Sequence, residues 1–147
     1  MIALVDRALA LNPSSAHAWF VGGAMRLWAG QLDSGVKHME TVLRLSPRQR
    51  ISNPLLFIGM AHFFSHRFEE AASTFLLDIQ GLPYRPRPCQ YLAACYAHMG
   101  RIDEAREVIA RLRTITPLVV PDELPLRNPE HREMLLSGLR LAMGEDR

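Results

Sequence analysis

Four prolines set the framework of this chain. Pro13 and Pro47 lie 34 residues apart, as do Pro83 and Pro117, and the middle interval from Pro47 to Pro83 is 36. Each closes an apolar segment: Ala-Leu-Ala-Leu-Asn-Pro, Val-Leu-Arg-Leu-Ser-Pro, Asp-Ile-Gln-Gly-Leu-Pro and Leu-Arg-Thr-Ile-Thr-Pro. A helix does not easily run into a proline, because the ring blocks the preceding turn and the N–H is missing. These prolines are therefore helix stops, and their recurrence predicts stacked units of one kind. The two extra residues of the middle interval fall around Arg48 to Ile51.

Inside the intervals one stretch repeats, clearest at Tyr96 to Ala105, Tyr-Ala-His-Met-Gly-Arg-Ile-Asp-Glu-Ala. Gly100 suits the end of one helix, and Asp103 and Glu104 suit the positive end of the next. Ala105 is then small enough for two antiparallel helices to approach closely. The stretch returns in degraded form at Leu27 to Gly35 and at Phe63 to Ala71. Trp19, Gly23, Gly30, Leu32, Gly35 and Pro47 mark the first unit. Leu55, Ile58, Gly59, Phe68, Ala71, Phe75 and Pro83 mark the second, and Cys89, Leu92, Ala93, Tyr96, Gly100, Ile102, Ala105 and Pro117 the third.

This pattern resembles the tetratricopeptide repeat (TPR), a helix–turn–helix unit of about 34 residues. The resemblance implies an all-α fold: a right-handed TPR superhelix, or α-α solenoid, of about three repeats. The repeats are expected at 16–49, 52–85 and 86–117. Residues 1–13 read as the second helix of a truncated preceding repeat. Half a repeat buries its apolar face poorly, which suggests a longer chain upstream. Residues 118–147 read as an extended linker, containing Pro121 and Pro125, followed by a capping helix. Asn128-Pro129 starts that helix, and Leu135, Leu136, Leu139 and Met143 form its stripe. Three departures stand out: Gly22 replaces a bulky residue, His66 replaces the turn glycine, and Asp78 sits where a buried alanine is usual. Asp78 is expected to be half-exposed.

Composition excludes several functions. A formal net charge of +2 gives no basic field of the kind that binds nucleic acid or a membrane surface. The longest apolar run, Leu55 to Ala61, is too short for membrane insertion. No secretory signal opens the sequence, and Cys89 and Cys95, six apart on one helix, point to different sides, so no disulfide joins them. A reducing, cytoplasmic setting follows. No catalytic constellation is present, no glycine-rich phosphate loop, and no cofactor motif. His62 and His66 have a spacing that can hold a metal from one helix face, but a third ligand is missing. Cys95 has no neighbouring cation to make it reactive. The chain is not read as an enzyme.

Two surfaces remain. In a TPR stack the first helix of each repeat lines a concave groove, which here would carry Phe20, Ala24, Leu27 and Trp28, then Leu56, Met60, Phe63 and Phe64, then Gln90, Ala94 and His98. Helices apolar on nearly every side are covered by the chain itself or receive a partner. One reading has neighbouring helices or the C-terminal segment cover this surface. The other is a groove for a protein or peptide partner, a hydrophobic ligand or a second copy of the chain, by self-association. The second surface is a basic edge, Arg48 and Arg50 in one inter-repeat loop and Arg85 and Arg87 in the next. It is either a solvated edge or a contact for an acidic partner; aromatic interleaving for nucleic acid is lacking. The lysine and asparagine pattern with which some TPR proteins clamp a peptide carboxylate is absent.

Four runs resemble a narrower group, the C-terminal TPR regions of alphaproteobacterial class III adenylate/guanylate cyclases. They are Arg44 to Pro47, Arg67 to Ala72, the Gly-Arg-Ile-Asp-Glu-Ala-Arg run from Gly100, and Gly138-Leu139-Arg140-Leu141-Ala142. Leu124 to Arg127 is similar to the linker of those proteins, while Leu141 stands where they carry lysine. The resemblance implies a regulatory TPR region whose parent handles ATP and metal in a separate N-terminal domain. A freestanding adaptor and the TPR region of a winged-helix transcription regulator are the alternatives.

Overall fold

The computed structural model describes residues 2–47, 54–121 and 124–144. Among these residues there are eight helices and no strand: α1 (Ile2–Leu11), α2 (Ala16–Trp28), α3 (Leu32–Leu45), α4 (Pro54–Phe64), α5 (Phe68–Gly81), α6 (Pro86–His98), α7 (Ile102–Ile115) and α8 (Pro129–Ala142). Local chemistry sets several ends. The Ser15 hydroxyl accepts the Ala18 N–H at 3.2 Å to open α2, and the Asn128 side chain accepts the Glu130 N–H at 2.9 Å to open α8. Pro86 and Pro129 stand in first turns, where a missing N–H does no harm.

Helices α2 and α3, α4 and α5, and α6 and α7 form antiparallel pairs, and α3–α4 and α5–α6 contacts join the pairs into a stack. The small residues expected at the contacts, Gly23, Gly35, Gly59, Ala71, Ala93 and Ala105, are all buried. At Gly59 a first side-chain carbon would lie 2.4 Å from the Phe75 ring, and at Gly35 one would lie 2.5 Å from Leu27. Gly22 lets α1 and α3 close on α2 at once: a carbon there would meet Val5 at 3.1 Å and His38 at 3.2 Å. Helix α1 is further tied by Arg26, whose guanidinium donates to Asp6 at 2.6 Å and to the Gly22 carbonyl at 3.2 Å. Leu9 is buried beneath it, while Leu4 and Leu11 stay exposed.

The three turns within the pairs are built alike. The N–H groups of Gln31, Arg67 and Arg101 donate to the carbonyls of Arg26, His62 and Tyr96 at 2.8, 2.9 and 2.8 Å. This six-to-one bond is the closure of a Schellman turn and needs a left-handed residue just before the donor. Gly30 (φ 91°) and Gly100 (φ 78°) supply it without strain, but His66 does so at φ 61° with a side chain in place. The departure noted in the sequence is thus a strained residue, carried because the turn on either side is fixed.

Asp78 differs from expectation. It is 4% exposed rather than half-exposed, and the Arg85 guanidinium donates to both its carboxylate and its backbone carbonyl. Burial of an acid at a usual alanine position is tolerated because the next loop returns a cation to it.

Replacing His66 with glycine removes the left-handed penalty while loosening the unfolded chain. We expect His66→Gly to raise the unfolding free energy by about 1 kcal/mol, measured by urea titration, with no change in helix content.

Candidate functional site

After α7 the chain does not continue the stack. Val119 meets α6, where Gln90 Nε2 donates to the Val119 carbonyl at 3.1 Å. The segment then crosses the first helices of the pairs, and the Arg127 N–H donates to the Trp28 carbonyl at 3.0 Å. Helix α8 returns over the same face. His131 stacks on Phe64 with ring centres 4.1 Å apart, His98 Nε2 donates to the Met134 carbonyl at 2.7 Å, and Gly138 lies so close to Ala94 that a side-chain carbon would sit 2.6 Å away. Leu126, Leu135, Leu139 and Ala142 are buried there.

Helix α8 rests chiefly on α6 and less on α7, the reverse of the way α6 sits on α5 rather than α4. It therefore lies over the last pair mainly on the side of α6, and reaches the end of α4 at Phe64. The apolar groove residues are thereby placed: Ala24, Leu27, Leu56, Met60, Phe63, Phe64, Gln90 and Ala94 are buried, and Phe20, Trp28 and His98 are half-buried. The C-terminal segment touches this surface at Trp28, Phe64, Gln90, Ala94 and His98, while Leu27 is packed against Gly35 of α3 and Phe63 against Phe68 and Tyr91.

An opening persists where the crossing segment leaves the helices. A cavity of about 120 Å³ is lined by Trp28, Met60, Arg87 and Tyr91 on the helix side and by Pro125 and Leu126 on the segment side. The basic edge is divided accordingly. Arg85 is committed to Asp78, Arg87 lines this cavity, and Arg48 and Arg50 lie outside the described residues. Sequence reasoning misses Tyr91 and Leu126 as cavity residues. Tyr91 follows the expected groove residue Gln90 directly, and only the crossing segment reveals the role of Leu126.

Among the described residues the ionisable groups make no reactive set. Burial pushes the thiol of Cys95 far up and that of Cys89 up, with Arg111 and Arg85 opposing it at Cys89, so both stay protonated and unreactive. No group of three or more described His, Cys, Asp or Glu side chains is placed to hold a metal, and no described helix is long and apolar enough to cross a membrane. His66 stands at the strained turn, while His62 is half-buried one turn earlier.

The fold has clear relatives among solved structures. The crystal structure of MamA matches over 97% of this chain and 85% of that chain, with a TM-score of 0.69 at 16% identity. YrrB, described as a TPR protein with an unusual peptide-binding site, matches over 97% and 75%, with a TM-score of 0.63 at 19% identity. TTC0263, a thermophilic TPR protein in Thermus thermophilus, matches over 97% and 73%, with a TM-score of 0.69 at 19% identity. No protein-family model and no curated protein matches the sequence. At these identities the likeness establishes the fold: an all-α solenoid of the TPR kind.

Two histidines carry a pH dependence of defined sign. Burial lowers the pKa of His131, with Glu130 opposing. At His62 burial does so first and Arg67 second, against Glu70. Both histidines are thus lower in the folded state than at their unfolded value of about 6.5. The unfolded chain binds more protons between the two values, so this stability is complete above about pH 6.5 and is lost as pH falls through the folded values. The melting temperature is expected to be lower at pH 5 than at pH 8, with a smaller difference in His131→Phe. Separately, Gly138→Leu should lever α8 off Ala94. Hydrogen exchange should then quicken across 124–142 while α4 and α5 keep their protection.

Proposed function

We propose that this chain is a non-catalytic interaction and regulatory module, the C-terminal region of a larger adenylate/guanylate cyclase whose catalytic domain it biases through a protein or peptide partner. The observation that carries the interaction reading is the TPR-type solenoid itself, shared with YrrB, for which a peptide-binding site is described. Burial keeps the thiols of Cys89 and Cys95 protonated, which fits a module without chemistry of its own. The cyclase parent rests on the runs at Arg44 to Pro47, Arg67 to Ala72, Gly100 to Arg106 and Gly138 to Ala142. On this reading a partner meets the concave side at its half-exposed members, Phe20, Trp28 and His98, and the buried ones shape that side.

A freestanding adaptor is the second reading, favoured by the cavity beside Trp28, which gives a ligand a place without any upstream domain. The reading frame separates the two. An in-frame catalytic domain encoded upstream of Met1 supports the cyclase parent, and a stop codon there removes it. The purified chain with ATP and Mn²⁺ is expected to form no cyclic AMP; formation would refute a non-catalytic module. Display selection against the chain should return a convergent peptide that binds with a Kd in about the micromolar range and is weakened by Phe20→Ala. Failure to enrich any sequence over a helical control protein would count against the interaction reading.

A further inference from the structure

The cavity beneath the crossing segment combines three features. Its body is apolar, with Trp28, Met60 and Leu126 among its walls, and its volume is about 120 Å³. That is somewhat less than the roughly 150 Å³ known to hold a benzene ring in an engineered apolar cavity. Its second feature is one cation: Arg87 is half-buried at the first turn of α6 and, among the described residues, forms no ion pair or side-chain hydrogen bond. Its neighbour Arg85 differs in just this respect, being bound to Asp78. The third feature is a neutral donor. Burial drives the Tyr91 phenol far above its ordinary range, and Arg87 is the charge that opposes this, so Tyr91 keeps its proton beside the guanidinium.

An apolar pocket beside a guanidinium that no described residue pairs matches a small molecule with a compact hydrocarbon body and one carboxylate. We propose that this cavity binds a short branched or aromatic carboxylic acid, its hydrocarbon body against Trp28 and Leu126 and its carboxylate on Arg87. A neutral body alone would leave Arg87 unmatched, and a dianion would bring a charge into apolar walls. Because Pro125 and Leu126 form one wall, the ligand also fastens the C-terminal segment across the concave side. The site does not require a protein partner and stands apart from the cyclase reading.

The test uses the full chain with 4-methylpentanoate, its uncharged amide 4-methylpentanamide, and the dipeptide N-acetyl-Gly-Leu, followed by ¹H–¹⁵N spectra. The acid is expected to shift the Trp28 indole and Tyr91 amide resonances in a saturable manner. The amide should bind about tenfold more weakly. Arg87→Gln, a change at a half-exposed position that leaves the fold intact, should abolish that preference, with unchanged circular dichroism as the control. Three results would each overturn the proposal: no shift at those resonances up to about 20 mM acid, equal binding of acid and amide, or a preference that survives Arg87→Gln. Binding of the dipeptide without the free acid would also overturn it, assigning the pocket to a peptide terminus instead.

Discussion

Close approach of paired helices is the constraint on which everything else here depends. Helices stand about 8–10 Å apart when ordinary side chains separate them, and the pairs in this chain place glycine at the contact in α2–α3 and α4–α5 and alanine in α6–α7. Gly35 receives Leu27 and Gly59 receives the Phe75 ring at distances no Cβ could share. The Phe75 ring then stacks on Tyr91 of the next pair, 5.6 Å between centres. A glycine in α4 therefore sets not only the α4–α5 separation but also the seat of α6. Steric room at one position propagates along the stack because the interior is close-packed and cannot absorb a displaced ring.

The same contact explains the end of the molecule. Gly138 does for α8 what Gly59 does for α5, placing backbone against Ala94. Yet the helix it approaches is different: α8 rests on α6, the first helix of the last pair, more than on α7. Beside it, Phe63 and Phe64 of α4 and Tyr91 of α6 form an aromatic cluster with centres 5.4 to 6.0 Å apart. Leaving such a cluster in water would cost about 25 cal/mol for each Å² of it. The fold-back removes that penalty with chain already at hand, and the three polar ties at Gln90, Trp28 and His98 fix its register, not its energy.

How much of this was legible in the sequence follows from the range of each interaction. The turn at Gly100, the stops at the prolines and the six small contact residues are local or periodic, so the 34-residue recurrence exposed them. Asp78 was not, because its burial depends on Arg85 arriving from the next loop, and nothing at position 78 alone announces a partner seven residues on. The course of 118–128 was also hidden. Its described residues form neither helix nor strand, and such a chain carries no periodicity that says what it lies against. The stripe on α8 was visible, but a stripe names only the face that is buried, not the helix that buries it. Hence the stripe gave the buried face of α8, while covering by the C-terminal segment stayed one of two readings of the apolar surface until its contacts with α4 and α6 were seen.

That distinction bears on what such a module can recognise. An open solenoid offers a partner one long concave surface, and affinity grows with the length engaged. Here most of that surface is already satisfied from within, so an incoming molecule gains little by burying Phe63 or Leu27 again, since both are fully covered. What remains is polar mismatch and partial exposure: the guanidinium of Arg87, the rings of Phe20 and Trp28, and the edge at Tyr84, which is 84% exposed. On the interaction reading proposed above, recognition rests on a few discrete anchors and not on groove area, because most apolar residues of that face are already buried by the neighbouring helices together with the C-terminal segment.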